Sequence, residues 1–140
     1  MATYLHLITT ITGALNGVAI DANELACDGI VTGSDEEQIL VTAAKVPFPN
    51  CKQLFCMLHC KDNVRHYLTS ISVASAHREH ILGQLFGCNS VSESSDECTM
   101  DDTTAEVMQY VRQHNIDAMS YLQDRVLPKI SQNNKHKWNE

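Results

Sequence analysis

The sequence of 140 residues predicts an all-α protein, a compact disulfide-linked bundle of five or six helices. Three observations support this fold class. Apolar residues recur at helical spacing in most segments, and no run alternates apolar and polar residues as a half-buried strand does. The six cysteines are an even count that suits three disulfides in a secreted protein. We expect one domain over residues 1–130, followed by a polar tail over residues 131–140.

The central element is predicted to be a helix over residues 50–73, which contains three of the cysteines and the densest apolar run. Asn50 is its expected N-cap, because a pair of prolines stops any helix before it. On a helix, Cys56 and Cys60 project from one face, one turn apart, which suits bridges to two neighbouring segments. Cys51 lies about 140° away, at roughly 100° per residue, and is expected to reach a different neighbour.

The N-terminal third is predicted to contain three helices. Residues 1–19 are apolar but lack the basic start of a signal peptide, so we expect a helix of the mature protein, with any signal removed upstream. A short second helix carries Cys27 near its end. Ser34 and Glu37 form a capping box that begins a third helix over residues 35–45.

After the central helix, the sequence predicts a helix over residues 76–86. Gly87 directly follows it and is expected to end it as a left-handed cap. The stretch from Cys88 to Cys98 is polar and acidic, which predicts a surface loop without core residues.

The longest C-terminal element begins, in this interpretation, at a capping box formed by Thr103 and Glu106. Its apolar residues keep helical spacing as far as Pro128, as one helix or as two with a joint near Asn115. The polar tail that follows is expected to be loosely held unless Trp138 docks.

Charge excludes two classes of partner. Ten basic and seventeen acidic residues give a formal net charge of -7, and no basic stripe carries interleaved aromatic residues. We therefore expect neither nucleic acid nor an anionic membrane surface as a partner, because both require a positive face. No apolar segment reaches the length that spans a bilayer, so membrane insertion is not expected.

Catalytic motifs are missing from the sequence. It contains no glycine-rich phosphate loop, no G-x-S-x-G and no H-E-x-x-H. A Cys-His nucleophile needs a lone thiol, which an even cysteine count does not leave. The sequence therefore predicts a protein that is not an enzyme and that uses no cofactor.

The histidines allow two further interpretations. His59 and His66 lie on the central helix and His77 and His80 on the next, so that together with neighbouring cysteines they could form a zinc site. They could instead act as a pH switch, because histidine changes charge between pH 5 and 8. Surface histidines without metal are the commoner arrangement, so we predict no metal site and leave the pH switch open.

Apolar residues from several predicted elements are the best candidates for a functional site. Disulfides contribute roughly 2 to 4 kcal/mol each, which allows a small helical domain to leave part of its interior unfilled for a ligand. The alternative is an ordinary filled core. The candidate ligand-lining residues are Leu54, Leu58, Tyr67, Leu68, Ile81, Leu85, Met108, Val111 and Met119.

The order of the cysteines resembles that of the insect odorant-binding proteins, which are small secreted helical carriers of hydrophobic ligands. In that family a cysteine near the end of the first helical segment precedes C-x3-C on a helix, and two cysteines flanking a loop follow. CMLHC resembles the C-x3-C, and CTMDDTTAEVMQYV resembles the helix after the fifth cysteine. The matching cysteines here are Cys27, Cys56, Cys60, Cys88 and Cys98.

The family's sixth cysteine would fall near Val107 and is absent, whereas Cys51 is additional. If Cys51 takes the missing role, the resemblance implies three bridges. These are Cys27 to Cys60, Cys56 to Cys98, and Cys88 to Cys51.

The stretch TAAKVPFPNCKQLFC resembles a second family, the oomycete elicitins, which are secreted helical sterol carriers. It is similar to their segment that leads into the paired cysteines. Both likenesses imply a secreted, non-enzymatic carrier that binds a small hydrophobic molecule or lipid in an internal cavity. The competing class is a secreted helical signal, toxin or effector. Such a protein has a filled interior and acts by binding a receptor through its surface.

Overall fold

The computed structural model describes residues 31–34 and 52–139. Contacts divide the chain into two compact units, Met1–Cys56 and Met57–Glu140. The described part is mostly helical, which confirms the predicted all-α character. The three N-terminal helices that the sequence predicts lie outside the described residues, as do Cys27 and Cys51.

The first unit contains two short strands, β1 (Val31–Ser34) and β2 (Lys52–Phe55). They pair in parallel, with Val31 opposite Lys52 and Ser34 opposite Phe55. The prediction of a helix from residue 50 is therefore wrong at its start. The segment KQLF is compatible with a strand and with a helical turn. Its pairing with β1 selects the strand, and this pairing cannot be predicted from periodicity along the chain.

The second unit is helical, and its elements follow one another with short connections. They are α1 (Met57–Ser70), α2 (Ser75–Phe86), a 3-10 turn (Val91–Glu93), α3 (Glu97–His114), a second 3-10 turn (Ile116–Ala118), α4 (Met119–Tyr121), a π turn (Leu122–Val126) and α5 (Leu127–Trp138). Helix α2 packs against both α1 and α3, and the first 3-10 turn contacts α2, α3 and α5. Within the described ranges, no helix combines the length and apolar character needed to cross a membrane.

Helix α2 matches its predicted bounds to within one residue, but Gly87 does not adopt the left-handed conformation expected of it. Its φ and ψ are -88° and -170°, and its N–H donates to the carbonyl oxygen of Gly83 at 2.8 Å. A Cβ at residue 87 would lie 2.5 Å from that oxygen, so glycine is required by close approach. The left-handed residue is Asn89, with φ 55°, a conformation that asparagine tolerates.

Helix α3 begins seven residues earlier than the sequence predicts. The N-cap is Asp96, whose Oδ1 accepts from the Thr99 N–H at 2.8 Å and from the Thr99 hydroxyl at 2.9 Å. Thr103, the predicted start, lies inside the helix and donates its hydroxyl to the Thr99 carbonyl at 2.8 Å. Asp96 and Thr103 are both suitable N-cap residues. The helix begins at Asp96, and aspartate is among the most favourable N-cap residues.

The Asp96 cap makes stability depend on pH. Hydrogen bonds from Thr99 and Ser95 hold the pKa of the Asp96 carboxyl below its ordinary value of 3.8. A lowered folded-state pKa adds stability above the unfolded-state value, and this stability disappears as pH falls through the folded-state value. We expect Asp96→Ala to lower the melting temperature at pH 7, with a smaller difference from wild type below pH 3.8.

Asp96→Asn is the matched control, because its amide oxygen can accept the same bonds and does not titrate. Its melting temperature at pH 7 should lie between those of Asp96→Ala and wild type, because the amide keeps the acceptor oxygen but not the charge. A deficit in Asp96→Ala of equal size at pH 7 and pH 2.5 would show that the carboxylate charge adds nothing to the cap.

Pro128 does not end the helix, contrary to the prediction, and α5 continues to Trp138. Proline has no N–H to donate and its ring crowds the carbonyl of the residue four positions earlier, here Asp124. The π turn Leu122–Val126 lies at this position. Pro128 occupies the first turn of α5, where a missing N–H costs little.

The sequence left open one C-terminal helix or two with a joint near Asn115, and the structure shows the joint. Helix α3 ends at His114, and Asn115 has a φ of -153°, outside the helical range, before the second 3-10 turn begins. The chain therefore bends at this residue, and its last helical segment can pack back against the first 3-10 turn.

A single apolar cluster forms the core of the second unit. Its largest fully buried side chains come from every helix longer than one turn, from the first 3-10 turn and from the π turn: Leu68, Ile81, Leu82, Leu85, Leu122, Ile130, Val64, Val91, Val107, Val111, Val126 and Cys60. Val91 is 0% exposed, so the loop predicted to lack core residues contributes one. A lone valine among serines gives no periodic signal, which explains the wrong prediction.

The predicted polar tail forms the second half of α5 and docks. Asn134 is 2% exposed and donates its Nδ2–H to the Val91 carbonyl at 2.7 Å. Trp138 donates its Nε1–H to the Ser94 carbonyl at 2.9 Å. These two bonds satisfy backbone acceptors of the segment between α2 and α3, so α5 holds that segment in place.

Candidate functional site

Seven of the nine candidate ligand-lining residues meet in the core cluster of the second unit. Four are 0% exposed: Leu68 from α1, Ile81 and Leu85 from α2, and Val111 from α3. The other three pack against the cluster and are partly buried: Tyr67, Met108 and Met119. Helical periodicity alone thus identified side chains from four elements that share one apolar interior.

Leu58 and Leu54 do not belong to this interior. The buried residues of α1 are Cys60, Val64 and Leu68, spaced four apart along one face. Leu58 precedes Cys60 by two residues, about 200° round the helix, and its exposure is 66%. Its predicted interior position is wrong, and Leu54 lies on β2, in the other unit.

The cysteines do not form the predicted scaffold among the described residues. Cys56 precedes α1 and is partly buried, Cys60 is 1% exposed in the core, and Cys88 and Cys98 are exposed. No disulfide joins two of these four, so the predicted bridge between Cys56 and Cys98 is absent. Because α1 begins at Met57, Cys56 also does not share a helix face with Cys60. The other two predicted bridges have partners outside the described residues.

A histidine–tyrosine cluster connects α2 to the end of α3. His77 Nδ1 lies 2.7 Å from the Tyr110 hydroxyl oxygen, and the rings of His77 and His114 stack with centroids 4.8 Å apart. The Tyr110 ring also contacts His80, at 4.1 Å between centroids, and His114, at 4.5 Å. The sequence places His77 and His80 on one face as predicted, whereas Tyr110 and His114 were missed. Their four-residue spacing on a helix is the signal that could have found them.

The cluster does not have the geometry of a metal centre. Throughout the described residues, no three histidine, cysteine, aspartate or glutamate side chains lie close enough to hold a metal ion. The rings of His77 and His114 stack with an interplanar angle of 22°. His59 and His66 are exposed on α1 and enter no ring contact with this cluster. The four rings instead form a surface that can stack and exchange hydrogen bonds.

A tyrosine pair connects α1 to α4. Tyr67 and Tyr121 stack with ring centroids 3.7 Å apart and an interplanar angle of 15°. The Tyr67 hydroxyl donates to the Asp117 carbonyl at 3.4 Å, and the neighbouring Ile116 is 67% exposed. Sequence reasoning found Tyr67 and missed Tyr121, because their contact spans residues far apart in the chain. This pair borders the apolar interior at its solvent edge.

The two family resemblances rest on cysteine order and on one short segment of the sequence. Comparison of this chain with protein-family models, with curated proteins and with solved structures gives no match.

Proposed function

We propose that the protein is a secreted, non-enzymatic carrier of a small hydrophobic molecule or lipid, held among the apolar side chains of the Met57–Glu140 unit. The observation that supports the proposal is the convergence of seven predicted lining residues on one interior. Ligand pockets are lined mainly by apolar and aromatic side chains, often from facing helices. This interior has that composition, and it draws on α1, α2, α3 and α4.

The solvent edge of the interior is the natural entrance for a ligand. Met108, Met119 and Tyr67 are partly buried and lie between the core and water. Methionine is unbranched and flexible, so it can move aside and repack around a guest at low cost. The π turn Leu122–Val126 follows α4 directly, and π turns inside helices are frequent at functional sites.

Secretion and disulfide bonding belong to the same proposal and rest on the even count of six cysteines. Because no two of the four described cysteines are joined, at most two bridges are compatible with the fold, and these would involve Cys27 and Cys51. The exposed thiols of Cys88 and Cys98 are accessible to oxidants in a secretory compartment. The intact mass of protein recovered from culture medium, before and after reduction, measures the number of bridges. A mass increase of two or four hydrogens on reduction supports the proposal, and no change contradicts it.

Ligand binding is tested with a hydrophobic fluorescent probe and fatty acids as competitors. We expect the wild type to bind the probe and release it to fatty acids, and native mass spectrometry to detect a co-purified lipid. Met108→Trp adds bulk at the entrance and should weaken probe binding about tenfold, with the far-ultraviolet circular dichroism spectrum unchanged.

Leu58→Trp is the matched control, because the same bulky side chain is added at a position that is 66% exposed on α1. Its probe affinity should equal that of wild type. Probe binding that is absent in wild type, or equally weakened in both variants, would contradict a carrier that uses this interior.

The second candidate is a helical signalling or effector protein that binds a receptor through its surface. Ile116 favours this candidate, because it is a large apolar side chain that is 67% exposed beside the stacked tyrosines. A wild type that binds no probe, combined with a loss of cell-surface binding in Ile116→Asp, would support this function instead.

A further inference from the structure

A surface depression lies between the end of α2 and the first 3-10 turn. Its volume is about 500 Å³, and the described residues that line it are Phe86, Gly87, Cys88, Asn89 and Glu93. We propose that this Phe86–Glu93 depression binds a small organic cation, an ammonium group carried on an aromatic or aliphatic body. Its size falls within the range of small-molecule sites.

The backbone builds the depression from residues that are close in sequence. Gly87 has no side chain, and a Cβ there would lie 2.5 Å from the Gly83 carbonyl oxygen, so the position stays bare. Asn89 adopts a left-handed conformation with φ 55° and redirects the chain. As a result, Glu93 returns to line the same space as Phe86.

The chemistry of the lining favours a cation. Phe86 is partly buried and packs against the core, which holds its ring in place, and the face of an aromatic ring attracts a cation. Glu93 is the one charged residue among the five described residues that line the space, and its carboxylate attracts an ammonium group. The exposed Cys88 thiol adds a polarisable sulfur against which an aromatic body can pack. An anionic ligand would meet the Glu93 charge and be repelled.

Glu93 already holds an ammonium group of the protein. Lys137 Nζ lies 3.6 Å from Glu93 Oε2, and the two side chains are 57% and 59% exposed. Exposed ion pairs of this kind are weak because water screens them. A ligand ammonium that also contacts Phe86 gains an interaction that Lys137 lacks, so it can displace the lysine. The net charge of -7 further raises the local concentration of cations.

The test measures the binding of phenethylamine to the full chain. Isothermal titration calorimetry gives the affinity, and changes in amide chemical shifts locate the binding site. Phenethyl alcohol and phenylacetate are the neutral and anionic analogues of the same size. We expect the amine to bind about tenfold tighter than the alcohol, phenylacetate not to bind, and the shifts to concentrate between residues 83 and 95.

Three substitutions assign the contacts. Glu93→Gln should weaken amine binding about tenfold and leave the alcohol unaffected, and Lys137→Gln should strengthen amine binding about twofold by removing the competitor. Glu97→Gln is the matched control, because Glu97 pairs with Lys135 at the same distance of 3.6 Å but does not line the depression. Its amine affinity should equal that of wild type.

Circular dichroism spectra identical to wild type would show that each variant is folded. The proposal is overturned if the amine does not bind, if it binds no better than the alcohol, if Glu93→Gln and Glu97→Gln weaken it equally, or if the shifts lie outside the depression. Addition of a fatty acid should leave amine binding unchanged, so this result is independent of the proposed carrier function.

Discussion

Leu68→Ala is expected to lower the free energy of unfolding by about 2 to 5 kcal/mol, the range for leucine truncation in a packed core. Leu68 is 0% exposed on α1, where it belongs to the cluster that α2 and α3 complete. Truncation removes apolar contacts and leaves a cavity that the surrounding helices fill only in part. Urea denaturation followed by circular dichroism at 222 nm measures the loss, provided that the transition is two-state.

Leu58→Ala is the matched control on the same helix, and its expected change is less than about 0.5 kcal/mol. Leu58 is 66% exposed, so truncation removes little buried area. Both leucines were predicted from sequence to line the interior, and only the structure separates them. Equal losses for the two substitutions would mean that α1 presents a different face to the core.

Elements determined by local signals are the ones that the sequence predicts well. Helix α2 has continuous helical periodicity and a glycine directly after it, and both its bounds were predicted to within one residue. Local propensity and tertiary packing agree at these positions, so either alone gives the correct answer.

Elements determined by distant contacts were predicted incorrectly. Strand β2 exists because it pairs with β1 about twenty residues earlier, and KQLF alone does not contain this information. The end of α5 depends on Trp138, which reaches the Ser94 carbonyl across 44 residues. Composition shows that this tail is polar. It does not show that Asn134 and Trp138 donate hydrogen bonds to the carbonyl oxygens of Val91 and Ser94.

The candidate site divides in the same way. Periodicity identified apolar residues of α1, α2 and α3 that share an interior, because each helix must bury its apolar face. It did not identify Leu58 as exposed, because apolar residues cover more than half of the circumference of this helix and do not mark a single buried face. His77 and His80 were predicted to share a face, but their partners Tyr110 and His114 depend on the packing of α2 against α3. Cysteine pairing is likewise a three-dimensional property that spacing does not fix.

Asn134→Asp is expected to destabilise the protein by about 3 to 5 kcal/mol at pH 7, the usual loss when a buried charge has no partner. Asn134 is 2% exposed on α5, and its Nδ2–H donates to the Val91 carbonyl oxygen at 2.7 Å. The substituted side chain has nearly the same shape, so packing is preserved. Its carboxylate has no proton to donate, and a negative oxygen would face the carbonyl oxygen of Val91 in place of the amide N–H.

The loss in Asn134→Asp should depend on pH in a direction that identifies its cause. Burial and the facing carbonyl raise the pKa of the introduced carboxyl in the folded state above its unfolded-state value of about 3.9. The penalty is therefore fully present above the raised pKa and falls as pH drops toward 3.9, because the protonated carboxyl can again donate to Val91.

Asn134→Ala, which lacks a titrating group, should lose a constant amount of stability relative to wild type across this range. Gln123→Glu makes the same amide-to-acid change at an exposed position of the π turn and should cost less than about 0.5 kcal/mol. A loss in Asn134→Asp that does not change between pH 7 and pH 4 would mean that displaced packing, and not the missing hydrogen-bond donor, separates α5 from the Val91 segment.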